Sequence, residues 1–490
     1  MAYYLLHRNQ PSAKRLLTNV SRLSRYTPTN AVGDSDVLLR WGALDENDPA
    51  KGTIVNAKEA VQRISSRVQM AKFLRRIGVR VASKTTKSGE ATTFSRQYRI
   101  PIFDMKAIAC FRSDSGANWP QARISRVHAS FQEISVSEDK QTRLAVLLAT
   151  RTLHALGLDF GMVSVGVGPK GMLHVMDVTA TPVLEGRMLD VFKDAMSSFV
   201  EREEQLKQNS PSNVTLGTDL EVMLRNAQGK MVLASNYFTR KGRVGCDDRS
   251  VNFDGKRLPL MELRPAPDNS PNGLLINLRA TMREATSRIN RQMVEWRAGS
   301  MPFRPYCTGG HIHFSGIPFT SRFVKALDNY LGLPLMAVED RKSANLRRPK
   351  YGFLGDIRHK EYGGFEYRTP ASFICSRVVT TAAFHLAHFL ALNYRDLPLP
   401  DIYVQSTQLA FYEGQVGVLR PFILRNIETV RLHSAYSQYR EYIEPFFVMI
   451  EQGRTWDESR DVRAEWNVPS GRAQRKPGAT KTRRARVTGS

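Results

Sequence analysis

Four short stretches of this chain place ionisable residues at period two. In TLGTDLEVML (215–224), Asp219 and Glu221 alternate with Leu220, Val222 and Leu224. In LPLMELRPAP (258–267), Glu262 and Arg264 alternate with Met261 and Leu263. CTGGHIHFSG (307–316) does the same with His311 and His313, and GGFEYRTPAS (363–372) with Glu366 and Arg368. As strands, each would present its polar pair on one face and its apolar residues on the other. A half-solvated sheet explains any one of them. It explains four together less economically, because Glu is poor strand material unless the position is useful. Glutamates with one or two histidines hold hard divalent cations, and arginines take phosphate oxygens in a fork. Magnesium or manganese with a nucleotide is the economical inference. Zinc fits less well, since His-x-His offers only two ligands.

The same stretches carry a resemblance. RPYCTGGHIHFSG resembles the Gly-Gly-His strand of glutamine synthetases and glutamate-cysteine ligases. LGTDLEVML resembles that superfamily's opening Glu-x-Glu strand, and GGFEYRTPAS its late Glu-x-Arg-x-Pro strand. In this order the set resembles the phage-type carboxylate-amine (COOH-NH2) ligases of type 2, over about residues 214–400. The resemblance implies a glutamine-synthetase-like curved antiparallel sheet that cradles ATP and Mg (or Mn). It also implies phosphorylation of a carboxylate, then attack of an amine on the acyl phosphate. Carried over by position, Asp219, Glu221, Glu262, His311 and Glu366 would be metal ligands. His313 would be a ligand or a contact to the bound nucleotide or substrate, while Arg264 and Arg368 would neutralise the transferred phosphate or bind the carboxylate substrate. Asp219 stands where the family has Glu, a shorter arm at one metal position.

NLRRPKYGFLGDIRHKEYGG (345–364) reads as a basic loop. Its bland interpretation is a solvated surface. Its functional one is a flap clamping ATP phosphates through Arg347, Arg348 and Lys350, with Arg358 as the catalytic cation.

A second resemblance lies upstream. HALGLDFGMVSVGVGPKGMLHVMDVTATPVL (154–184) resembles the closing region of ATP-grasp ligases. That family's Glu-x-Asn reads Asp177-x-Thr179 here, and RSDSGAN is a thin substitute for its glycine loop. Lys106 is the best nucleotide-contacting lysine, with Asp159 and Asp177 as companions. A degenerate domain that binds a peptide, an acceptor or a partner subunit stays open beside a catalytic one.

The elements that must position these residues suggest an α+β chain of two principal domains, as its 490 residues require. We expect an α/β ATP-grasp-like domain over 1–200, a polar linker over 201–213, the ligase domain over 214–460 and a basic disordered tail over 461–490. One helical stripe runs over 58–76 through Val61, Ile64, Val68, Ala71 and Leu74. Strands are expected within 98–112 and on both sides of the Pro-Lys-Gly turn at 169–171, with helices at 141–155 and from about 187. A long helix is expected from Pro271 through Leu278, Met282, Ala285, Ile289, Met293 and Trp296.

Four scattered cysteines predict reduced thiols, and a nucleophilic Cys307 is disfavoured. No segment reads as a membrane span or signal peptide, so a cytoplasmic location is expected. Neither a GxxxxGK[ST] loop nor an HRD-like loop occurs, which argues against a P-loop enzyme or a protein kinase. The formal charge is +25, and RAQRKPGATKTRRARV (472–487) carries seven Lys or Arg without an acid. That tail could make weak phosphate contacts to nucleic acid. The leading expectation is an ATP-dependent ligase of small-molecule or peptide carboxylates and amines. The alternative is an inactive ligase-fold scaffold in nucleic-acid binding or phage assembly.

Overall fold

A computed structural model of the chain describes residues 1–83, 92–120, 122–208, 213–289, 294–348 and 350–469. Ahead of residue 58, where periodicity assigns nothing, lies a parallel four-stranded sheet ordered Leu23–Arg25, Tyr3–His7, Val37–Trp41, Thr53–Val55. Val37–Trp41 is buried throughout, so no alternation was available to reveal it. An antiparallel sheet follows, with Arg96–Phe103 and Leu173–Thr179 flanking Phe160–Val167. The helix Lys140–Ala155 packs on it, ended by Gly157 in the left-handed region.

The second half is built on an antiparallel sheet. Its path runs Val244–Cys246, Leu260–Leu263, Thr215–Asn226, Gly310–Ser315, Phe365–Tyr367, Ile357–His359. Met231–Val232 and Val294–Arg297 also pair with the long strand. Leu220, Val222, Met261, Leu263, Ile312, Phe314, Phe365 and Tyr367 are all buried in one core with the helices Pro271–Ile289 and Arg377–Asn393. The alternation therefore sends the ionisable members of each strand to the opposite face.

Several expectations need correction. The stripe over 58–76 is two helices, Lys58–Arg63 and Arg67–Arg76. Ser66 is extended and caps the second one, which rotates Val68 outward to 79% exposure and buries Met70 and Phe73 instead. The long helix is described over Pro271–Ile289, and residues 290–293, Met293 among them, lie outside the described set; Trp296 belongs to a strand and stands across from Leu224. The polar stretch 201–213 is helical to Gln208, because Glu203 and Leu206 are buried and Glu203 pairs with Arg395 of the second half at 2.7 Å; residues 209–212 lie outside the described set. The expected tail begins too early. Val462–Glu465 is helical, Trp466 Nε1 donates to the Ile374 carbonyl at 2.8 Å, and Arg463 donates to the Val294 carbonyl at 2.6 Å. The basic run 472–487, and the nucleic-acid contact expected of it, fall outside the described residues.

The two halves share buried polar joints. Asp159 takes bonds from the Asn56 N–H (2.7 Å), Ser321 Oγ (2.7 Å) and Lys325 Nζ (2.6 Å). Among the described residues no helix is long and apolar enough to cross a membrane, and the four cysteines are free and buried.

Candidate functional site

Strand register assembles the site. Asp219 stands across from His311, Glu221 from Glu262, and His313 from Glu366. Partners in an antiparallel pair project to the same side, so three neighbouring strand pairs build one polar surface. Donor atoms of Asp219, His311 and Glu366 lie within 4.8 Å of one another, as do those of Glu221, Glu262 and His311. His311 belongs to both groups. Glu221, His311 and Glu366 are almost completely buried, whereas Asp219 and His313 form the more open edge.

The charges are tightly interlocked. His311 Nδ1 is 3.0 Å from Glu366, and its Nε2 hydrogen-bonds the Tyr351 hydroxyl at 2.7 Å. Glu221 accepts the Gly309 N–H at 2.9 Å and pairs with Arg249. His313 Nε2 is 3.1 Å from Asp219. Glu366 is surrounded by Lys360 (2.7 Å), Arg368 (3.2 Å) and Arg358 (3.5 Å). Burial alone would raise its carboxyl, but His311, Arg358 and Lys360 hold it well below the ordinary range. Glu262 goes the other way: burial, then the Asp219 charge, push it up to about 8 despite its contact with Arg264.

Chemistry of this kind fits a hard divalent cation. Among the described residues, His311 Nδ1, His313 Nε2 and both Glu366 oxygens are buried and stand at ion-pair distance from their neighbours, but none of those contacts has hydrogen-bond geometry. Carboxylates and imidazoles in two overlapping groups match the preferences of magnesium or manganese.

Other expected residues divide sharply. Arg264 lies at the rim, pinned to the Arg240 and Cys246 carbonyls at 2.9 and 3.2 Å as well as to Glu262. Arg368 reaches the Tyr351 hydroxyl at 2.9 Å. Arg358 is half exposed and faces Glu366. The expected flap is not one loop: it contains the end of the helix Arg341–Arg347 and the edge strand Ile357–His359. Arg347 and Arg348 are buried structural groups, contrary to a phosphate-clamping role. Arg347 donates to the carbonyls of Thr308 (2.9 Å), Thr369 (2.9 Å) and Pro370 (2.6 Å), and Arg348 pairs with Glu339 at 2.6 Å. Lys350 is exposed. Lys106 lies over the Phe319 ring at 5.6 Å and lines a separate cavity of about 300 Å³ with His359 and Phe353, apart from the acidic groups.

Sequence reading missed Arg249 and Tyr351. Arg249 bridges Asp247 (2.7 Å), the Cys307 carbonyl (2.6 Å) and Glu221. Both come from irregular segments, where no alternation marks a facing residue; an Arg in CDDRS and a Tyr directly before Gly352 are the available signals. The glycine pair before the histidine strand has a steric origin. A Cβ on Gly309 would meet His311 Nε2 at 2.3 Å, and one on Gly310 the Ala371 carbonyl at 2.6 Å.

In the first half, Asp177 accepts the Ile124 N–H at 2.6 Å and faces Arg123 (3.2 Å) and Arg67 (3.6 Å). Thr179 Oγ1 accepts the Thr181 N–H at 3.1 Å. This pair does not fit a metal, and among the described residues the donor groups of three or more all lie in the second-half sheet.

No curated protein is significantly similar in sequence. Among solved structures, the ATP-grasp ligase PsnB, complexed with a minimal precursor, matches over 41% of this chain and 99% of its own, at 11% identity and TM-score 0.28. A bifunctional glutathione synthetase from Pasteurella multocida matches over 55% and 50%, at 12% identity and TM-score 0.33. A glutamine synthase homolog matches over 54% and 68%, at 14% identity and TM-score 0.28. The sequence profile of one family covers residues 216–468, from the opening acidic strand past the last described helix. The chain belongs to the phage phiEco32-like COOH.NH2 ligases of type 2.

Proposed function

We propose that this chain joins a carboxylate to an amine at the expense of ATP, through an acyl phosphate formed on the second-half sheet. The observation that carries the reading is the double membership of His311, which adjoins Asp219 and Glu366 on one side and Glu221 and Glu262 on the other. Those five residues would hold the divalent ions, which when bound shield phosphate charge and polarise the phosphoryl group.

This chain's cations complete the arrangement. Arg358, Lys360 and Arg368 converge on Glu366, and Arg249 and Arg264 stand by Glu221 and Glu262. Positive charge fixed beforehand around a transferring phosphoryl group stabilises the transition state without reorganisation. A carboxylate oxygen takes the γ-phosphoryl group and ADP leaves. The amine nitrogen then forms the C–N bond, phosphate departs, and the nitrogen sheds a proton. Asp219 and His313, at the open edge, are the residues best placed to meet the incoming substrate.

The test is calorimetric titration of Mg-ATP into the protein and into a Glu262→Ala/His311→Ala variant at one salt concentration. Saturable, magnesium-dependent binding in the first and its loss in the folded variant are expected, followed by ADP release only when a carboxylate and an amine are both supplied. Nucleotide binding indifferent to magnesium or to the variant would overturn the reading.

A further inference from the structure

The Tyr351 hydroxyl stands between residues of the two acidic groups. His311 Nε2 lies 2.7 Å from it, Arg368 Nη2 2.9 Å and Glu221 Oε1 3.5 Å. The ring behind the hydroxyl is held by the guanidinium groups of Arg249, Arg347 and Arg368, at 5.1, 5.0 and 5.2 Å from its centroid. Arg347 is itself fixed by three carbonyls. Gly309 lies so close that a Cβ there would stand 3.1 Å from the Tyr351 ring edge. The hydroxyl is thus set in place before any ligand arrives.

Its hydrogen bonds can be counted. A phenol has one hydrogen to give and two lone pairs to accept with. Arg368 can only donate, and Glu221, salt-bridged to Arg249, can only accept. The Tyr351 oxygen therefore takes the Arg368 N–H and has one hydrogen left to place. If that hydrogen went to His311 Nε2, the neutral imidazole would carry its own on Nδ1. Glu366 Oε1 is 3.0 Å from Nδ1 but not where a ring N–H could reach it, and among the described residues Nδ1 has no hydrogen-bond partner. With the imidazole hydrogen on Nε2 instead, Nε2 donates to the hydroxyl and the hydroxyl donates to Glu221. Every bonding position of the phenol is then filled, and Nδ1 keeps a lone pair beside Glu366.

We propose that Tyr351 is a positioning residue: it fixes His311 as the Nε2–H tautomer and so makes Nδ1 the atom that meets a divalent ion, on the side of Asp219 and Glu366. His311 then serves a single ion, and Glu221 and Glu262 act through carboxylate oxygens alone. This rests on the metal-dependent ligase reading and adds to it which nitrogen ligates and which residue aims it.

The full chain is prepared with isotopically labelled histidine, and the His311 nitrogens are identified by NMR through their loss in His311→Ala. With saturating magnesium at about pH 8, above the ordinary histidine range, a protonated Nε2 and an unprotonated Nδ1 are expected. Tyr351→Phe keeps the ring among its guanidinium neighbours and removes only the hydroxyl. In that variant the His311 nitrogen shifts should move toward a mixture of tautomers, and manganese affinity, followed by electron paramagnetic resonance, should fall about tenfold or more. A merely structural tyrosine would leave the nitrogen shifts where they were. If Tyr351→Phe does not fold by circular dichroism, the tautomer in the parent protein decides alone. A protonated Nδ1 in the parent, or unchanged nitrogen shifts or manganese affinity in the folded variant, would overturn the proposal and leave the ligase reading standing. A parent protein that binds neither magnesium nor manganese would overturn both.

Discussion

His154 Nε2 lies 2.7 Å from Asp328 Oδ2, and both side chains are fully buried although they come from opposite halves of the chain. Asp328 also accepts the hydroxyls of Tyr403 (3.0 Å) and Tyr367 (2.8 Å) and the Gly355 N–H (2.9 Å). Tyr367 adjoins Glu366, and Gly355 precedes the edge strand that carries Arg358. One carboxylate thus ties the first half to two strands of the second-half sheet. Asp328→Ala strands four donors and should cost on the order of 3–5 kcal/mol. His154→Ala leaves the Gly355 and Tyr367 bonds in place and should cost about 1–3 kcal/mol. Chemical denaturation of both variants checks the order; equal losses would contradict it.

Arg347 and Arg358 should fail in different assays. Arg347 holds three carbonyls that flank the histidine and Glu366 strands, so Arg347→Lys should lower stability by roughly 2–4 kcal/mol through lost buried bonds. Arg358 is half exposed, and Arg358→Gln should leave the melting temperature nearly unchanged while cutting turnover by about tenfold or more. Thermal melting beside an ADP-release assay separates them. A stable Arg347→Lys protein would return that residue to the candidates for phosphate contact.

Glu458 predicts a pH dependence away from the site. Burial, with the Glu339 charge adding to it, pushes its carboxyl up to about 7 from an ordinary 4.5, against hydrogen bonds from Trp456, Ser343 and the Ser300 N–H. The folded protein therefore holds that proton more tightly than the unfolded chain does. The resulting stabilisation is complete below pH 4.5 and is lost as the pH rises through about 7. Glu458→Gln should be more stable relative to the parent at pH 8 than at pH 5, by on the order of 2 kcal/mol. A difference that stays constant or shrinks over that interval would rule the assignment out.

How much was legible follows from what each signal reports. Alternation placed Asp219, Glu221, Glu262, His311 and Glu366 on common faces, because pairing in a sheet leaves a residue only two directions. That these strands belong to one sheet is what the resemblance implies; which of them are neighbours is seen only in the structure, since pairing at long separation leaves no local trace. Arg347 and Arg348 were misread because a guanidinium that satisfies carbonyls has the same composition and spacing as one that awaits phosphate. Trp296 continued a helical stripe by count, but its strand buries the indole against the same core. Arg249 and Tyr351 reach Glu221 from 28 and 130 residues away, out of irregular backbone.

The close quarters around Gly309 and Gly310 set a limit on heredity. Any side chain at 309 pushes on the His311 ring, and any at 310 presses into the Ala371 carbonyl or the Phe373 ring, whatever its polarity. No neighbouring side chain can be traded to make room, because one obstacle is the His311 ring at the centre of the candidate site and another is main chain. In a library covering every substitution, these two codons should tolerate a single letter each, while the half-exposed Arg358 beside the same site accepts drift with graded loss.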